Sequence, residues 1–458
     1  MTPMALDAIA RATGGRLVGE DRVVDTLATD SRALPASGGT LFVAIKGERF
    51  DGHAHVAAAA EAGAIAALVS EPVATDIPQV VVADTVRALA DLAAFVQKAR
   101  ETCVVAITGS NGKTSVKALV ESILRRVGPT HATPGNRNNE IGLPLAVLEA
   151  PADARFAVYE MGAGQPGDIA YLTAIARPHV SVVNNVAPAH LERMGSLLGI
   201  ADTKAAIYDA LPADGVAVIN SDDAFAPYFA ERAHGRRLIR FGLDASADVI
   251  ARDIELDAGG ARFILDTPLG SGNVVLAMPG RHNVANALAA AALAMGAGAP
   301  LEAILDGLAA ARPVAGRLVA HRLANGAVIV DDSYNANPGS LATAIATLAS
   351  MGGEGWLVLG DMREIGADAE AMHAEVGRRA RAAGIRRLLA LGPLSAKAAE
   401  AFGEGGEAFT DHATLAEAVR ATLAPGVHVL VKGSRGSAME QVVDALVPAA
   451  DKGGDDAA

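Results

Sequence analysis

Residues 106–114 read Ala-Ile-Thr-Gly-Ser-Asn-Gly-Lys-Thr, a run whose side chains suit it to gripping phosphate. Small residues at Gly109, Ser110, Asn111 and Gly112 let backbone N–H groups curl round anionic oxygens, and Ser115 carries the run into a helix whose N-terminus adds partial positive charge. Lys113 supplies a full charge, and the Thr114 hydroxyl can hold Mg²⁺. The general pattern G-x-x-x-x-G-K-[ST] would place its first glycine at 107, where this chain has Ile107, so the match fails by one residue. An ordinary strand–turn–helix joint is the plainer reading, and Gly-Lys-Thr in this setting weighs against it.

Other residues can do chemistry in company, though each has a bland reading alone. The loop 133–144 carries Asn136, Arg137, Asn138 and Asn139 between glycines, a donor-rich stretch that composition alone reads as a polar turn. Glu160 stands at the carboxyl end of a strand, well placed for a metal, although a lone carboxylate there is more often a surface charge. His190 follows another strand and is a ligand candidate for a second metal, yet a single histidine is usually not a ligand. Lys204, in a helix, reads as a solvated charge. Farther on come His282, Asn283 and Asn286, then Arg317, then Asp331 with Tyr334 and Asn335 in Asp-Asp-Ser-Tyr-Asn-Ala-Asn-Pro. That last run offers a ribose acceptor, phosphate donors and a tyrosine, or simply a capped turn before a helix at 340–350. Lys432 and Arg435 can grip a carboxylate, the arginine bidentately.

The elements that must position these residues alternate: short β-branched runs, then alanine-rich helical stretches, the pattern of α/β domains with mostly parallel sheets. Strands are expected at 41–45, 64–70 and 80–83, and a helix over 86–100 closes a smaller N-terminal α/β domain, 1–100. A strand at 104–107 opens a central domain, 101–313, of phosphate-loop ATPase type. Val116, Leu119, Val120, Ile123, Leu124 and Val127 share one face of a helix predicted over 115–127. Further strands follow at 156–159, 180–184 and 216–219, then helices over 284–295 and 301–311. Strands at 328–330, 356–359, 388–391 and 427–431 mark a third, C-terminal α/β domain, 314–458. In open α/β sheets ligands gather at the carboxyl ends of strands, where the residues above fall. The tail beyond Pro448 is expected to be disordered.

Composition bounds the partners. The chain has 458 residues, enough for about three domains at the usual size. Its formal net charge is −13, which argues against nucleic acid as a default partner, and 3% aromatics argue against base-stacking platforms. One cysteine, Cys103, excludes an internal disulfide framework and reads as a small buried apolar residue. No signal peptide or membrane span is read, so a cytoplasmic monomer is expected.

The order of the motifs resembles the ATP-dependent Mur ligase family, over roughly residues 25 to 441. The loop lacking the first glycine is also that family's usual form. Gly-Asn-x-Asn-Asn-x-Ile-Gly at 135–142, Glu-Met-Gly-Ala at 160–163 and the run 331–338 look like its dipeptide-adding branch, as do Thr29–Arg32, 41–53 and 432–439. The resemblance implies an ATP-dependent ligase of peptidoglycan precursor synthesis, adding D-alanyl-D-alanine to UDP-N-acetylmuramoyl-tripeptide through an acyl phosphate. It implies that the C-terminal domain, 314–458, is Rossmann-like and that residues 109–115 hold ATP. Thr114 and Glu160 would hold one Mg²⁺, and His190 a second, with Lys204 carbamylated. Lys113, Glu160, His190 and Lys204 are then the catalytic set. Asn283 and Asn286 would face the nucleotide's base side, Arg317 its phosphates and Asp331 its ribose. Ser31, Arg32 and Lys46 would meet the UDP-sugar, and Asn138, Asn139, Tyr334, Asn335, Lys432 and Arg435 the peptide substrates.

Overall fold

A computed structural model describes residues 1–448 except 37, 48–49, 189–190, 258 and 367, with no side-chain description at Leu191 and Glu192. The tail expected to be disordered therefore lies outside the described residues, as does His190.

The protein is mixed α/β with mostly parallel sheets, and each sheet is built from one stretch of chain. In the first stretch, Thr26–Ala28, Thr40–Val43, Ala64–Val69 and Gln79–Val81 run parallel, and Arg16–Val18 closes the sheet antiparallel. A two-stranded ribbon, Met4–Ala5 with Val23–Val24, flanks it. In the second, all six strands are parallel, in the order Arg237–Phe241, Val216–Asn220, Val180–Val183, Cys103–Thr108, Phe156–Glu160, Thr130–Ala132. Central strands such as Cys103–Thr108 are buried on both faces, which is why they read as unbroken apolar runs rather than alternating ones. Cys103 itself is half-buried, and burial pushes its thiol pKa up, away from the nucleophilic thiolate.

The helix predicted over 115–127 is Lys113–Leu124, two residues earlier at its start. Gly112 precedes it at φ +81°, so the turn into the helix is left-handed and the helix begins on Lys113 itself. Its apolar face packs with the helices Arg281–Gly296 and Leu301–Ala310 in one buried cluster. Arg281–Gly296 is buried along nearly its whole length, and its alanines let neighbouring backbones come close.

A whole three-stranded sheet was not expected. Ile250–Asp257, Gly260–Thr267 and Gly270–Leu276 form a three-stranded antiparallel sheet whose inner residues Phe263, Leu265, Val274 and Leu276 join that same cluster. The third stretch gives a sheet in the order Val319–Arg322, Val328–Asp332, Val427–Lys432, Glu354–Gly360, Arg387–Leu391, Gly406–Phe409, parallel apart from its first strand, with a separate core on each face. The first and second stretches instead share a core, in which Leu6, Leu89 and Leu92 meet Leu143 and Val147. Among the described residues no helix is long and apolar enough to cross a membrane.

Candidate active site

The strand Cys103–Thr108 sits between Phe156–Glu160 and Val180–Val183, so Thr108, Glu160 and Asn184 emerge at one edge of the sheet. The loop 109–112 curls over that edge. A Cβ on Gly112 would lie 2.5 Å from both Asn184 Nδ2 and Asn286 Oδ1, so this loop has no room for a side chain there. Asn184 Nδ2 donates to Asn111 O at 3.0 Å and to Asn286 Oδ1 at 3.1 Å, and Asn185 Oδ1 accepts from Asn111 N at 2.9 Å. The loop is thus pinned from beneath by asparagine amides.

Lys113 Nζ donates back to Gly109 O at 2.8 Å, which holds the ammonium inside the curl of the loop. Burial lowers its pKa, with Glu160 opposing. Thr114 Oγ1 donates to Glu160 Oε2 at 2.9 Å, and Asn138 Nδ2 donates to Glu160 Oε1 at 2.8 Å. The Glu160 carboxylate is buried, with both oxygens held. Lys204 is also buried, and desolvation, aided by the Lys113 charge, pushes its pKa down to about 7. The solvated charge read from the sequence is therefore corrected: the helix Leu197–Asp209 turns this lysine inward.

These groups open on a cavity of about 1190 Å³ lined by all three stretches, with Arg87 from the first and Arg317, Tyr334 and Lys432 from the last. Residues 109–115, Asn138, Asn139, Glu160, Lys204, Asn283, Asn286 and Asn335 share its wall. Ser31, Arg32, Lys46, Asp331 and Arg435 do not line it. Arg32 is exposed and paired with Asp30, Lys46 is paired with Asp51, and the Asp331 carboxylate accepts from Ser333 Oγ at 2.6 Å.

Asn283 and Asn286 line the cavity, and their amides are also tied to the protein: Asn286 Nδ2 donates to Asn283 Oδ1 at 3.0 Å and Asn283 Nδ2 to Pro279 O at 2.8 Å. Two expectations change in detail. Lys432 Nζ is paired with Asp332 at 2.6 Å and donates to Asn335 O at 2.9 Å; its charge is already matched, and it is not a free grip for a carboxylate. Asp332, not Asp331, reaches the cavity wall, and burial raises its pKa against the pull of Lys432. Arg317 lies over the Tyr334 ring, 4.2 Å from its centre, and the Arg435 guanidinium stands 5.8 Å from the same ring.

The sequence reading passed over Lys117, Asn184, Asp332 and Asn337. Asp332 and Asn337 lie in the run 331–338 and Asn184 is one of two adjacent asparagines at the end of a strand, so only Lys117 carried no local signal. His282, quoted there without a role, lines the cavity, and burial and Lys432 push its pKa down to about 4, so it is a neutral imidazole.

Comparison with known proteins places this geometry. Residues 23–102, 107–294 and 316–435 match the models of the Mur ligase family catalytic domain, the Mur ligase middle domain and the Mur ligase glutamate ligase domain. The UDP-N-acetylmuramoyl-tripeptide–D-alanyl-D-alanine ligase of Escherichia coli K12 is 44% identical over 97% of this chain and 99% of its own. A crystal structure of MurF from Acinetobacter baumannii superposes with a TM-score of 0.91 at 35% identity, covering 97% of this chain and 99% of that one. MurF from Thermotoga maritima in complex with ADP superposes at 0.82 and 29% identity, over 92% and 97%. This chain belongs to the Mur ligase family.

Proposed function

We propose that this protein is an ATP-dependent ligase that joins UDP-N-acetylmuramoyl-tripeptide to D-alanyl-D-alanine in peptidoglycan precursor synthesis. One observation carries the reading: a single cavity is walled by a phosphate loop, a buried Thr114–Glu160 pair and an Arg317–Tyr334 stack from a different sheet. The relatives that share this architecture over nearly their full length bear that activity in their names.

A peptide bond does not form from a carboxylate and an amine in water without activation. The tripeptide's terminal carboxylate oxygen attacks the γ-phosphorus of ATP, the bond to the β-bridging oxygen breaks, and ADP leaves. The dipeptide amine, having lost its proton, attacks the acyl carbon. The tetrahedral adduct then expels phosphate and leaves an amide. Carboxylate and triphosphate repel each other, so catalysis is positioning plus charge compensation. Lys113 and the backbone amides of 109–115 hold the β- and γ-phosphates, and Arg317 meets them from the opposite wall.

The donors present fit Mg²⁺ bound with the nucleotide. The buried Glu160 carboxylate and Thr114 hydroxyl are hard oxygen donors, and among the described residues no three His, Cys, Asp or Glu side chains cluster. Such an ion would be held by Thr114 and Glu160 and would supply charge neutralisation at the phosphates. Burial lowers the pKa of Lys204, which favours the neutral amine, the form that can add CO₂; as a carbamate it would, with His190, hold a second ion. The divisions 1–100, 101–313 and 314–458 then correspond to UDP-sugar, ATP and dipeptide, with Ser31, Arg32 and Lys46 meeting the first and Tyr334, Asn335 and Arg435 the last.

The test mixes the protein with ATP, Mg²⁺, D-alanyl-D-alanine and a UDP-muramoyl tripeptide ending in diaminopimelate or lysine. The expected outcome is phosphate release that stops when either peptide is withheld, with a pentapeptide product. Release supported by single amino acids in place of the dipeptide would assign the chain to another reaction of the family.

A further inference from the structure

Lys117 lies one turn beyond Lys113 and Thr114 on the phosphate-loop helix, is 6% exposed, and has no part in the account above. Its Nζ donates to Thr133 O at 2.7 Å and Gly135 O at 3.0 Å and lies 3.9 Å from Glu160 Oε2. Those two carbonyls open the asparagine-rich loop. The same loop returns to Glu160 twice: Thr133 Oγ1 accepts from Glu160 N at 3.1 Å, and Asn138 Nδ2 donates to Glu160 Oε1. Gly162 N closes the ring by donating to Asn138 O at 2.8 Å.

An ammonium is the one lysine form with three N–H donors, and here two meet carbonyls while the carboxylate lies beside it. A buried carboxylate needs a cation and full hydrogen bonding to stay charged and aimed. We propose that Lys117 is a positioning residue: it anchors loop 133–138 and, through that loop and its own charge, fixes the Glu160 carboxylate in the orientation that receives nucleotide-bound Mg²⁺. The inference rests on the phosphate-loop reading above. It separates two jobs on one helix, with Lys113 facing the phosphates and Lys117 facing the side chain that meets their counter-ion.

Calorimetric titration of ADP into the full-length protein, with and without Mg²⁺, tests it. In Lys117→Met, which keeps the stem and loses the donors, Mg²⁺-free ADP binding is expected to stay within about twofold of native. The strengthening of ADP binding by Mg²⁺ is expected to shrink by about tenfold or more, the weight of hydrogen bonds to a charged group. Lys117→Arg should restore part of the strengthening, and Asn138→Ala, which cuts the same ring at its other end, should reproduce the loss. Full strengthening in Lys117→Met, or equal weakening with and without Mg²⁺, overturns the proposal. If that variant does not fold, undiminished strengthening in Asn138→Ala overturns it instead. Failure of the native protein to bind ADP at all would bring down the phosphate-loop reading and this inference with it.

Discussion

Lys113 folds onto the carbonyl of Gly109, so the loop holds its own cation where phosphate oxygens are to lie. The side chain is half-buried at the cavity wall. Lys113→Ala should therefore cut turnover by about a hundred- to a thousandfold, the range for removing one preorganised charge or donor. Thermal unfolding should remain at the native midpoint; retained turnover would show that the loop grips phosphate without this lysine. The loop was legible because its residues are contiguous. The rest of the site was less so, for physical reasons. Asp331 and Asp332 are neighbours on one strand, whose side chains alternate between faces, so their sequence does not say which one meets the cavity. The pairing of Lys432 with Asp332 joins residues 100 apart, and Lys117 reads as one more polar residue beside an apolar helical stripe.

The phosphate-loop helix owes its placement to the helices packed on it. Leu301–Ala310 crosses it so closely that a Cβ on Gly307 would stand 2.5 Å from Ile123 Cα, and Ser122 Oγ donates to Gly307 O at 2.7 Å. Gly307→Ala should destabilise the protein by about 1–3 kcal/mol, the cost of overpacking a tight backbone contact. A lowered unfolding midpoint in denaturant is the readout, and an unchanged one would mean the two helices part easily. Elements with long apolar runs, such as Cys103–Thr108 and Val180–Val183, could be read directly from the sequence. Short edge strands such as Thr130–Ala132 and Gly406–Phe409 exist only because a neighbour offers them a ladder. The sheet Ile250–Leu276 escaped notice because its first two strands are studded with Arg, Asp and Glu, its third opens Gly-Ser-Gly-Asn, and glycine turns divide them.

The molecule carries a net charge of −13, yet the ATP and the UDP-muramoyl peptide proposed for it are both anionic. The cavity does not answer with a strong excess of positive charge: among the described residues its wall holds six Lys or Arg and five Asp or Glu, and Lys432 is matched by Asp332. Much of the compensating charge must therefore arrive with the nucleotide as its cation. The cavity spans sheets that have separate cores, and Asn337 Nδ2 donates to Asn111 Oδ1 at 2.8 Å, linking the helix Pro338–Ser350 to the phosphate loop. Asn111→Ala should remove that link while the Asn337 cap stays intact. Amide exchange in the first turn of Pro338–Ser350 should then quicken about fivefold, the equivalent of one neutral hydrogen bond, and unchanged exchange would show that other contacts hold the two parts together.

In the proposed reaction the tripeptide carboxylate is phosphorylated before the amide forms. Tripeptide labelled with ¹⁸O in its terminal carboxylate tests it most directly. The bond changes require one labelled oxygen in each phosphate released and the other in the new amide. Phosphate free of label, released alongside pentapeptide, would contradict it.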